Sequence, residues 1–487
     1  WKVSSNTDIR VGRLEMFDQK KTSREIELLG GEARDIQWKN FHLIVPHTVY
    51  PPREDTDLLA SVLGKVTPFG KKRFLEIGSG SGALSILAAS LGWQVEASDV
   101  NPYAVAATRF NAIENNVEIS TSEGGIGPAQ DGRHAQWMNP GSYDLVIWNM
   151  PYIPAEETQE FLGPMEDAAL IDTHPSGLLN EFGEMIRRFQ LISPTGISLI
   201  LCREFFEHQR TKDILLSKGL ATRVVSNLTF EDGETIQVLA MWHPFVKSKK
   251  QQIHTVPSTN SEMLEGTYKH GDSLRARFQT DGKGRHGRTW DDHLGAFKGT
   301  WKLDSNLIPQ ISSQLQCQVA VEIASLFQSM TPLNDSICVK WPNDLLVRDS
   351  VSREWKKAGG ILFQSLSRGN EQSLVLGIGI NTKTTDLLQG RGSLEEAGVE
   401  FDNTQLFTLL DTIVSSLFEN KSNLSNAPNK GAEINLELLL KECIYREKEC
   451  TVTGISNAGN LLIESSQEEH FEVSDDLSLL WPHLQLQ

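Results

Sequence analysis

Residues 74–83 read FLEIGSGSGA, an apolar segment of strand length that runs into a loop with three glycines. Glycine permits positive φ angles and lets the backbone approach a ligand where no Cβ fits, so the segment predicts a strand, a ligand-binding turn and a helix start. The loop satisfies G-x-G-x-x-G/A through Ala83, which admits a nicotinamide cofactor as well as other adenosine ligands. Asp99 follows about 20 positions later at a predicted strand end, where a carboxylate can accept hydrogen bonds from both ribose hydroxyls. A plain glycine-rich turn with a solvated Asp99 is the alternative.

Strand and helix patterns alternate around this loop, between residues 72 and 242. Predicted strands lie at residues 73–77, 94–99, 143–148 and 196–202, and predicted helices at residues 83–91, 102–115 and 178–191. Such alternation predicts the α/β class, with a mostly parallel sheet covered by helices on both faces. The polar, basic stretch KSKKQQ at residues 247–252 predicts a linker, after which a second globular segment begins.

Length and composition limit the classes of protein that remain. A chain of 487 residues predicts about three domains. Since 63 acidic residues against 46 basic ones give a formal net charge of −17, a general nucleic-acid coat is disfavoured. No apolar run approaches the roughly 18 residues of a membrane helix. Five cysteines without a C-x-x-C pattern disfavour a disulfide scaffold and favour a reducing compartment, so we expect a cytoplasmic protein. Because the chain opens at Trp1, we expect a fragment or a processed product.

The tetrapeptide NMPY at residues 149–152 follows an apolar predicted strand. An asparagine side chain and a neighbouring carbonyl can accept both hydrogens of a planar nitrogen, orient its lone pair toward an electrophilic methyl group, and leave an aromatic ring to stack on the plane. With the glycine loop, this motif resembles the S-adenosylmethionine-dependent methyltransferases of the HemK type, which methylate a glutamine side chain of translation release factors. The resemblance covers roughly residues 40–242 and includes VYPPREDT at residues 49–56.

The resemblance implies a Rossmann-like methyltransferase sheet over residues 1–246, with a release factor as the methyl acceptor. It implies catalytic roles for Asn149 and Tyr152, and an S-adenosylmethionine site formed by Glu76, Gly78, Gly80, Gly82 and Asp99. Met150 stands where the family has proline, which lowers the rigidity of the motif. Two alternatives stay open: methyltransferases that modify adenine in DNA or RNA share such a tetrapeptide, and the unit could be a non-catalytic module that binds S-adenosylmethionine or a partner.

The second segment carries the basic glycine loop GKGRHGRTW at residues 282–290. Arginine offers bidentate hydrogen bonds and glycine allows close approach, so the loop predicts a phosphate contact, with a solvated basic turn as the alternative. KWPND at residues 340–344 adds a cation, an aromatic ring and a carboxylate, and Asp344 could hold Mg²⁺ at the phosphates. KAGGIL at residues 357–362 sets a lysine before a glycine pair that opens a buried strand.

These motifs, in this order, resemble the biotin protein ligases over about residues 253–487. STNS at residues 258–261 and GIGIN at residues 377–381 extend the match. The resemblance implies an α+β catalytic domain over residues 253–440 and a small SH3-like β-barrel over residues 441–487. It implies that biotin and ATP form biotinyl-adenylate, which then biotinylates a lysine of a biotin carboxyl carrier domain.

The implied site residues fall into three groups. The catalytic group comprises Lys357, Asp344 and Arg285, with Asp344 also as the Mg²⁺ ligand. The biotin group comprises Ser258, Thr259, Asn260 and Gln279. The group for ATP and biotinyl-adenylate comprises Gly282, Lys283, Gly284, Arg285, Arg288, Trp290, Lys340 and Asn343.

Two other functions of the second segment, lipoate ligation and specific DNA binding, are disfavoured. Lipoate ligases share the fold, but their Arg-Arg-x-x-Gly-Gly-Gly-x-Val motif is absent from the chain. In many bacterial biotin ligases a helix-turn-helix precedes the catalytic domain; because the methyltransferase-like unit takes that place here, we expect no specific DNA binding. We also expect no membrane partner.

Overall fold

A computed structural model describes residues 29–68, 72–126, 137–154, 164–174, 176–206, 209–290, 292–308, 311–349, 352–369, 371–385, 387–421, 424 and 434–484. Within these residues, no helix is both long enough and apolar enough to span a membrane. The internal contacts divide the chain into two compact units. Unit 1 comprises the described residues of Trp1–Leu191 together with Leu199–Cys202 and Leu228–Val238. Unit 2 comprises the described residues of Ile192–Ser198, Arg203–Asn227 and Leu239–Gln487.

The elements up to residue 242 alternate largely as predicted. They are β1 (Arg34–Trp38), β2 (Phe41–Val45), α1 (Glu54–Leu63), β3 (Arg73–Ile77), α2 (Ala83–Ser90), β4 (Gln94–Asp99), α3 (Pro102–Glu114), β5 (Ile119–Glu123), β6 (Tyr143–Asn149), β7 (Ile153–Pro154), α4 (Pro164–Leu170), β8 (Ile171–Asp172), α5 (Leu178–Phe189), β9 (Ile192–Arg203), β10 (Phe205–Phe206), β11 (Gln209–Arg210), α6 (Thr211–Ser217), β12 (Ala221–Thr229) and β13 (Thr235–Trp242). Seven strands form one sheet in the order β12-β13-β9-β6-β3-β4-β5. The pairs β3–β4, β3–β6 and β4–β5 are parallel, which confirms the predicted parallel sheet in this part of the chain.

The remaining elements build a second seven-stranded sheet and a smaller one. They are β14 (Lys250–Val256), α7 (Thr259–Glu265), β15 (Ser273–Gln279), β16 (Ala296–Leu303), α8 (Ser313–Met330), β17 (Ile337–Lys340), β18 (Asp344–Arg348), β19 (Trp355–Arg368), β20 (Glu371–Asn381), α9 (Asn403–Phe418), β21 (Glu442–Tyr445), β22 (Lys448–Ile455), β23 (Leu461–Ser465), β24 (His470–Val473) and β25 (Leu479–Leu480). The larger sheet has the order β14-β15-β16-β20-β19-β18-β17. Its pairs are antiparallel except for β14–β15. The smaller sheet has the order β24-β23-β22-β21-β25; its closure into an SH3-like barrel stays a prediction.

The core of unit 2 lies between its large sheet and the long helices α8 and α9. Val319 and Ile323 of α8, Leu410 of α9, and Trp301 and Leu376 of the sheet belong to one buried apolar cluster. Burial of such side chains from water is the main favourable term in folding.

The predicted linker at residues 247–252 differs from the structure. Lys250 begins β14, and Lys250, Gln251 and Gln252 pair with Ser273, Leu274 and Arg275 of β15. Polar side chains suggested a linker, but residues 250–252 lie in an edge strand, where one parallel ladder pairs one side of the backbone and the side chains of these residues stay exposed.

The predicted boundary at residue 246 also differs from the packing, because Arg203–Asn227 and Leu239–Gln487 belong to the same unit. The Arg223 guanidinium donates hydrogen bonds of 2.8 and 3.0 Å to the carbonyls of Ser416 and Glu419. The indole N–H of Trp242 donates a 3.0 Å hydrogen bond to Ser415 Oγ. Residues before the predicted boundary therefore form part of the folded core of unit 2.

A largely buried charge network joins α6 to α8 within unit 2. Glu322 lies 2.7 Å from Lys212 Nζ and 3.3 Å from an Arg210 nitrogen, and Arg210 also contacts Asp213 at 2.9 Å. Burial alone would raise the pKa of Glu322, but the neighbouring Lys212 and Arg210 lower it to about 2.

Replacing Glu322 by alanine should leave Lys212 without its carboxylate and Arg210 with Asp213 alone. We expect Glu322→Ala to lower the free energy of unfolding of unit 2 by about 3 kcal/mol, measured by urea denaturation at pH 7. Because the folded pKa is depressed, the stabilisation by Glu322 should be present above pH 4.5 and lost as the pH falls toward 2. Gln318→Ala, one helical turn earlier, is the control and should change stability much less; equal losses for both variants would contradict the role of the network.

Candidate functional sites

The glycine loop of unit 1 connects β3 to α2. Gly78, Gly80 and Gly82 have φ angles of +68°, +52° and +82°, which residues with a Cβ rarely adopt. A Cβ on Gly82 would lie 3.0 Å from the Cα of Thr108 in α3. Glycine is therefore required at these positions for backbone conformation, and at Gly82 also for helix packing.

Asp99 ends β4 and is held beside this loop. Its Oδ2 accepts a 2.8 Å hydrogen bond from the backbone N–H of Gly80, and its Oδ1 accepts one of the same length from Asn101. Burial raises the pKa of Asp99, against the opposing effect of these N–H groups. A cavity of about 300 Å³ opens at this point. Its wall includes Glu76, Gly78, Gly80, Asp99, Asn149 and Pro151, so the structure brings most of the predicted residues of unit 1 together.

Asp55 fixes the orientation of the Asn149 side chain. Oδ2 of Asp55 accepts hydrogen bonds of 3.0 Å from Asn149 Nδ2 and from the Tyr50 hydroxyl, while Oδ1 accepts one of 2.6 Å from the N–H of Thr56. An ionised carboxylate can only accept, so the amide nitrogen of Asn149 must face Asp55. The Asn149 oxygen is thereby left to accept a hydrogen bond from a ligand.

The other members of the tetrapeptide take different places. Met150 is 5% exposed, and its N–H donates a 3.4 Å hydrogen bond to the carbonyl of Leu201. Pro151 lines the cavity. Tyr152 is not among the residues that line the cavity. Its charge interaction with Tyr50 adds to the effects of burial and of Asp55, which raise the pKa of Tyr50. The stacking role of Tyr152 stays a prediction.

Unit 2 contains a larger cavity of about 620 Å³. One part of its wall is formed by a polar group of four residues, Ser258, Thr259, Asn260 and Gln279. Ser258 caps α7 by accepting a hydrogen bond from the N–H of Ser261. Gln279 Oε1 accepts hydrogen bonds of 2.8 and 3.0 Å from the N–H and the hydroxyl of Thr259, which leaves Gln279 Nε2 as a donor. Asn260 lines the cavity, but its amide is engaged within the protein by Gln364 at 2.7 Å and Thr300 at 2.6 Å.

The basic glycine loop follows β15 and also lines this cavity. The loop closes on itself, because the N–H of Gly284 donates to the carbonyl of Arg288 at 2.7 Å and the N–H of Trp290 donates to that of Gly282 at 3.0 Å. A Cβ on Gly379 would lie 2.8 Å from the Trp290 ring, so the lack of a side chain at this position of β20 leaves space for the indole. Lys283 forms a 2.5 Å ion pair with Asp281, which partly neutralises its charge.

Three cations and a carboxylate meet where β17, β18 and β19 pair. Asp344 lies opposite Gly360 in the ladder, and its Oδ1 is 2.7 Å from Lys357 Nζ. Lys340 lies 3.7 Å from the other oxygen of Asp344. Burial alone would raise the pKa of Asp344, but Lys357, Lys340 and Arg285 lower it below its ordinary value. The carboxylate is therefore ionised and surrounded by positive charge.

This environment does not fit a protein-bound Mg²⁺ at Asp344. Magnesium prefers several oxygen ligands, whereas the close neighbours of this carboxylate are cations. Among the described residues, the three side chains that come close enough to share a metal ion are His286, Asp475 and Asp476.

Comparisons with known proteins match both units. The family described as biotin/lipoate A/B protein ligase matches residues 242–381, and the family described as ribosomal protein L11 methyltransferase matches residues 56–150. The chain is thus similar to a methyltransferase family in unit 1 and to the biotin/lipoate protein ligase family in unit 2. The resemblances found in the motifs are confirmed at this level.

Individual relatives agree with this division. The bifunctional ligase/repressor BirA of Escherichia coli is 31% identical over 169 residues, which are 32% of this chain and 50% of that protein. A release factor glutamine methyltransferase of Prochlorococcus marinus is 30% identical over 135 residues, which are 25% of this chain and 42% of that protein. The chain spans about half the length of the curated relatives it matches. A biotin protein ligase of Aquifex aeolicus, solved with biotin and ATP, aligns with 48% of this chain and 97% of its own at 23% identity and a TM-score of 0.37.

The motif analysis missed two carboxylates. In the methyltransferase-like unit, Asp55 belongs to the VYPPREDT segment, but its contact with Asn149 spans 94 positions. In unit 2, Asp476 lines the large cavity from the C-terminal segment and lies 3.0 Å from Arg285. Neither contact has a local sequence signal, because each joins residues that are far apart in the chain.

Glu76 should make the stability of the methyltransferase-like unit depend on pH. It is 2% exposed and accepts a hydrogen bond from Ser85, and burial raises its pKa to about 8. Because the folded pKa is raised, the stabilisation should be complete below pH 4.5 and lost as the pH rises through 8. In urea denaturation, Glu76→Gln should remove a decrease on the order of 1 kcal/mol per pH unit in this window. The exposed Glu118→Gln is the control; a wild-type decrease that persists in Glu76→Gln would contradict the assignment.

Proposed function

We propose that unit 2 is a biotin–protein ligase. Biotin's carboxylate attacks the α-phosphate of ATP, which forms biotinyl-adenylate and releases pyrophosphate. The amine of an acceptor lysine then attacks the biotinyl carbonyl, which forms the amide and releases AMP. The observation that carries the proposal is one cavity that joins the polar group of Gln279 and Thr259 to the cations Lys357, Lys340 and Arg285.

The polar group suits the biotin ring, which has both donors and acceptors. Gln279 Nε2 can donate to a ring carbonyl and the Ser258 hydroxyl can donate or accept, while Thr259 holds Gln279 in place through its N–H and its hydroxyl. Because the Asn260 amide is hydrogen-bonded to Gln364 and Thr300, Asn260 would maintain the shape of the biotin end of the cavity and would not contact biotin directly.

The cations suit the reacting groups. Lys357, held by Asp344, can lie between the biotin carboxylate and the α-phosphate and stabilise the charge that develops as the new bond forms. Lys340 and Arg285 can bind the phosphates, and Arg288 and Lys283 lie in the exposed part of the loop that would cover them. Exclusion of water by this loop would protect the mixed anhydride from hydrolysis.

The acceptor is proposed from the resemblance to biotin protein ligases and not from a contact in this chain. Biotin–protein ligases biotinylate a lysine, and we propose a biotin carboxyl carrier domain of the acetyl-CoA carboxylase type. Lipoate ligation is the second reaction that the matched family name admits, and it is tested by offering lipoate in place of biotin.

We further propose that unit 1 is an S-adenosylmethionine-dependent N-methyltransferase whose acceptor is a protein glutamine, in a release factor. Bound S-adenosylmethionine would supply the methyl group, with Asp99 at its ribose and the glycine loop beside it. The Asn149 oxygen, oriented by Asp55, would accept a hydrogen bond from the acceptor nitrogen and direct its lone pair. Met150 lies buried behind the motif, so the proline-to-methionine change does not fill the cavity.

Lys357→Ala tests the ligase proposal. We expect formation of biotinyl-adenylate, measured by chromatography of quenched reactions, to fall at least about 100-fold, because a positioned charge is lost at the reacting centre. Lys356→Ala is the matched control, since Lys356 pairs with Asp349 and Glu396 and does not line the cavity. An unchanged rate in Lys357→Ala would refute the assignment of this lysine.

Asp55→Ala tests the methyltransferase proposal. We expect methyl transfer to a release factor to fall about 10-fold or more through kcat, because Asn149 is no longer held in one orientation. The affinity for S-adenosylmethionine, measured by calorimetry, should change little. Asp57→Ala, on the exposed side of the same helix, is the control.

The calorimetric titration also separates an enzyme from a binding module. Binding of S-adenosylmethionine without methyl transfer to any protein would favour the module, and no binding at millimolar concentration would exclude the methyltransferase and leave a partner-binding module.

A further inference from the structure

The C-terminal segment contributes a carboxylate to the large cavity of unit 2. Asp476 is the first residue of the 3-10 helix Asp476–Ser478, and it lines the cavity although it is only 9% exposed. The preceding residue, Asp475, caps this helix by accepting a 3.0 Å hydrogen bond from the N–H of Leu477. The cap fixes the backbone from which the Asp476 side chain extends.

Asp476 faces the cations that we assign to the phosphates of ATP. Its Oδ1 lies 3.0 Å from an Arg285 nitrogen and 3.9 Å from His286 Nε2. Its Oδ2 lies 3.9 Å from Lys340 Nζ. Lys340 is thus shared between two carboxylates, since Asp344 lies 3.7 Å from the same ammonium group.

The two carboxylates are held in different ways. Asp344 accepts a hydrogen bond from Lys357. In contrast, Oδ1 of Asp476 has no hydrogen-bond partner among the described residues, because Arg285 approaches it without hydrogen-bond geometry. Arg285 instead donates a 3.1 Å hydrogen bond to Asn343. The contact of Asp476 with Arg285 is therefore an attraction between charges, which an anion with better geometry can replace.

The balance of charges indicates that one of the two carboxylates must move away from the cations when phosphates bind. In this cluster Arg285, Lys340 and Lys357 carry three positive charges against two negative ones on Asp344 and Asp476, and the wall of the whole cavity has seven lysine and arginine side chains against three aspartates. A triphosphate brings several negative charges, and like charges placed side by side cost binding free energy. Since Lys357 holds Asp344 by a hydrogen bond, Asp476 is the carboxylate that can leave.

We propose that Asp476 is an exchangeable counter-ion, which neutralises Arg285 and Lys340 in the free protein and is displaced from them by nucleotide phosphates. The inference rests on the proposed ligase function. Because the helix cap keeps the Asp476 backbone in place, the displaced carboxylate remains close to the phosphates and weakens the binding of ATP and of pyrophosphate alike. It regains its cations when pyrophosphate departs, which favours product release after the first step.

The test compares Asp476→Asn with the wild-type chain by calorimetric titration of ATP, pyrophosphate and biotin. The amide keeps the shape of the side chain but removes its charge. We expect the Kd for ATP and for pyrophosphate to fall 3- to 10-fold, and the Kd for biotin to stay within 2-fold. Asp476→Glu keeps the charge and should stay near the wild-type values.

Glu472→Gln is the matched control, because it removes one exposed carboxylate from the small sheet outside the cavity and should leave all three constants unchanged. An unchanged or higher Kd for ATP in Asp476→Asn, with an unchanged melting temperature, would overturn the proposal. Failure of the ligase function itself has a different signature, which is a wild-type chain that forms no biotinyl-adenylate from biotin and ATP.

Discussion

The ion pair between Lys357 and Asp344 is the interaction on which the candidate site of unit 2 depends. The antiparallel ladder of β18 and β19 sets Asp344 opposite Gly360, and a register shift between Leu345 and Leu346 brings Lys357 into the same group. Lys357 lines the cavity also when no anionic substrate is bound, and its charge then needs a counter-charge, which Asp344 supplies. Arg285 and Lys340 are balanced in the same manner by Asp476.

In the methyltransferase-like unit, hydrogen bonds fix the orientation of the Asn149 side chain. The Asn149 amide could present either its nitrogen or its oxygen to the cavity, and only the oxygen can accept from an acceptor N–H. Asp55 removes this ambiguity because it accepts from Asn149 Nδ2, and Thr56 in turn holds Asp55. In both units a buried aspartate orients the residue that is expected to act on the substrate.

Local patterns predict much of this organisation, and contacts distant in sequence account for the rest. The glycine loop, the strand end at Asp99 and KWPND are short motifs whose chemistry is visible in the residues themselves, and the structure places them in two cavities. The contact between Asp476 and Arg285 joins distant segments, so no spacing rule reveals it. The polar residues 250–252 resemble a linker because β14 is an edge strand, and the hydrogen bonds of Arg223 and Trp242 that place residues before 246 in unit 2 depend on tertiary packing.

The central claim is that one cavity of this chain activates biotin with ATP. Exchange of isotope between labelled pyrophosphate and ATP measures that step directly, because label enters ATP only when the adenylate forms and reverses. The account predicts exchange that requires biotin and is not supported by lipoate. Exchange that is absent with biotin, or equally fast with lipoate, would contradict it.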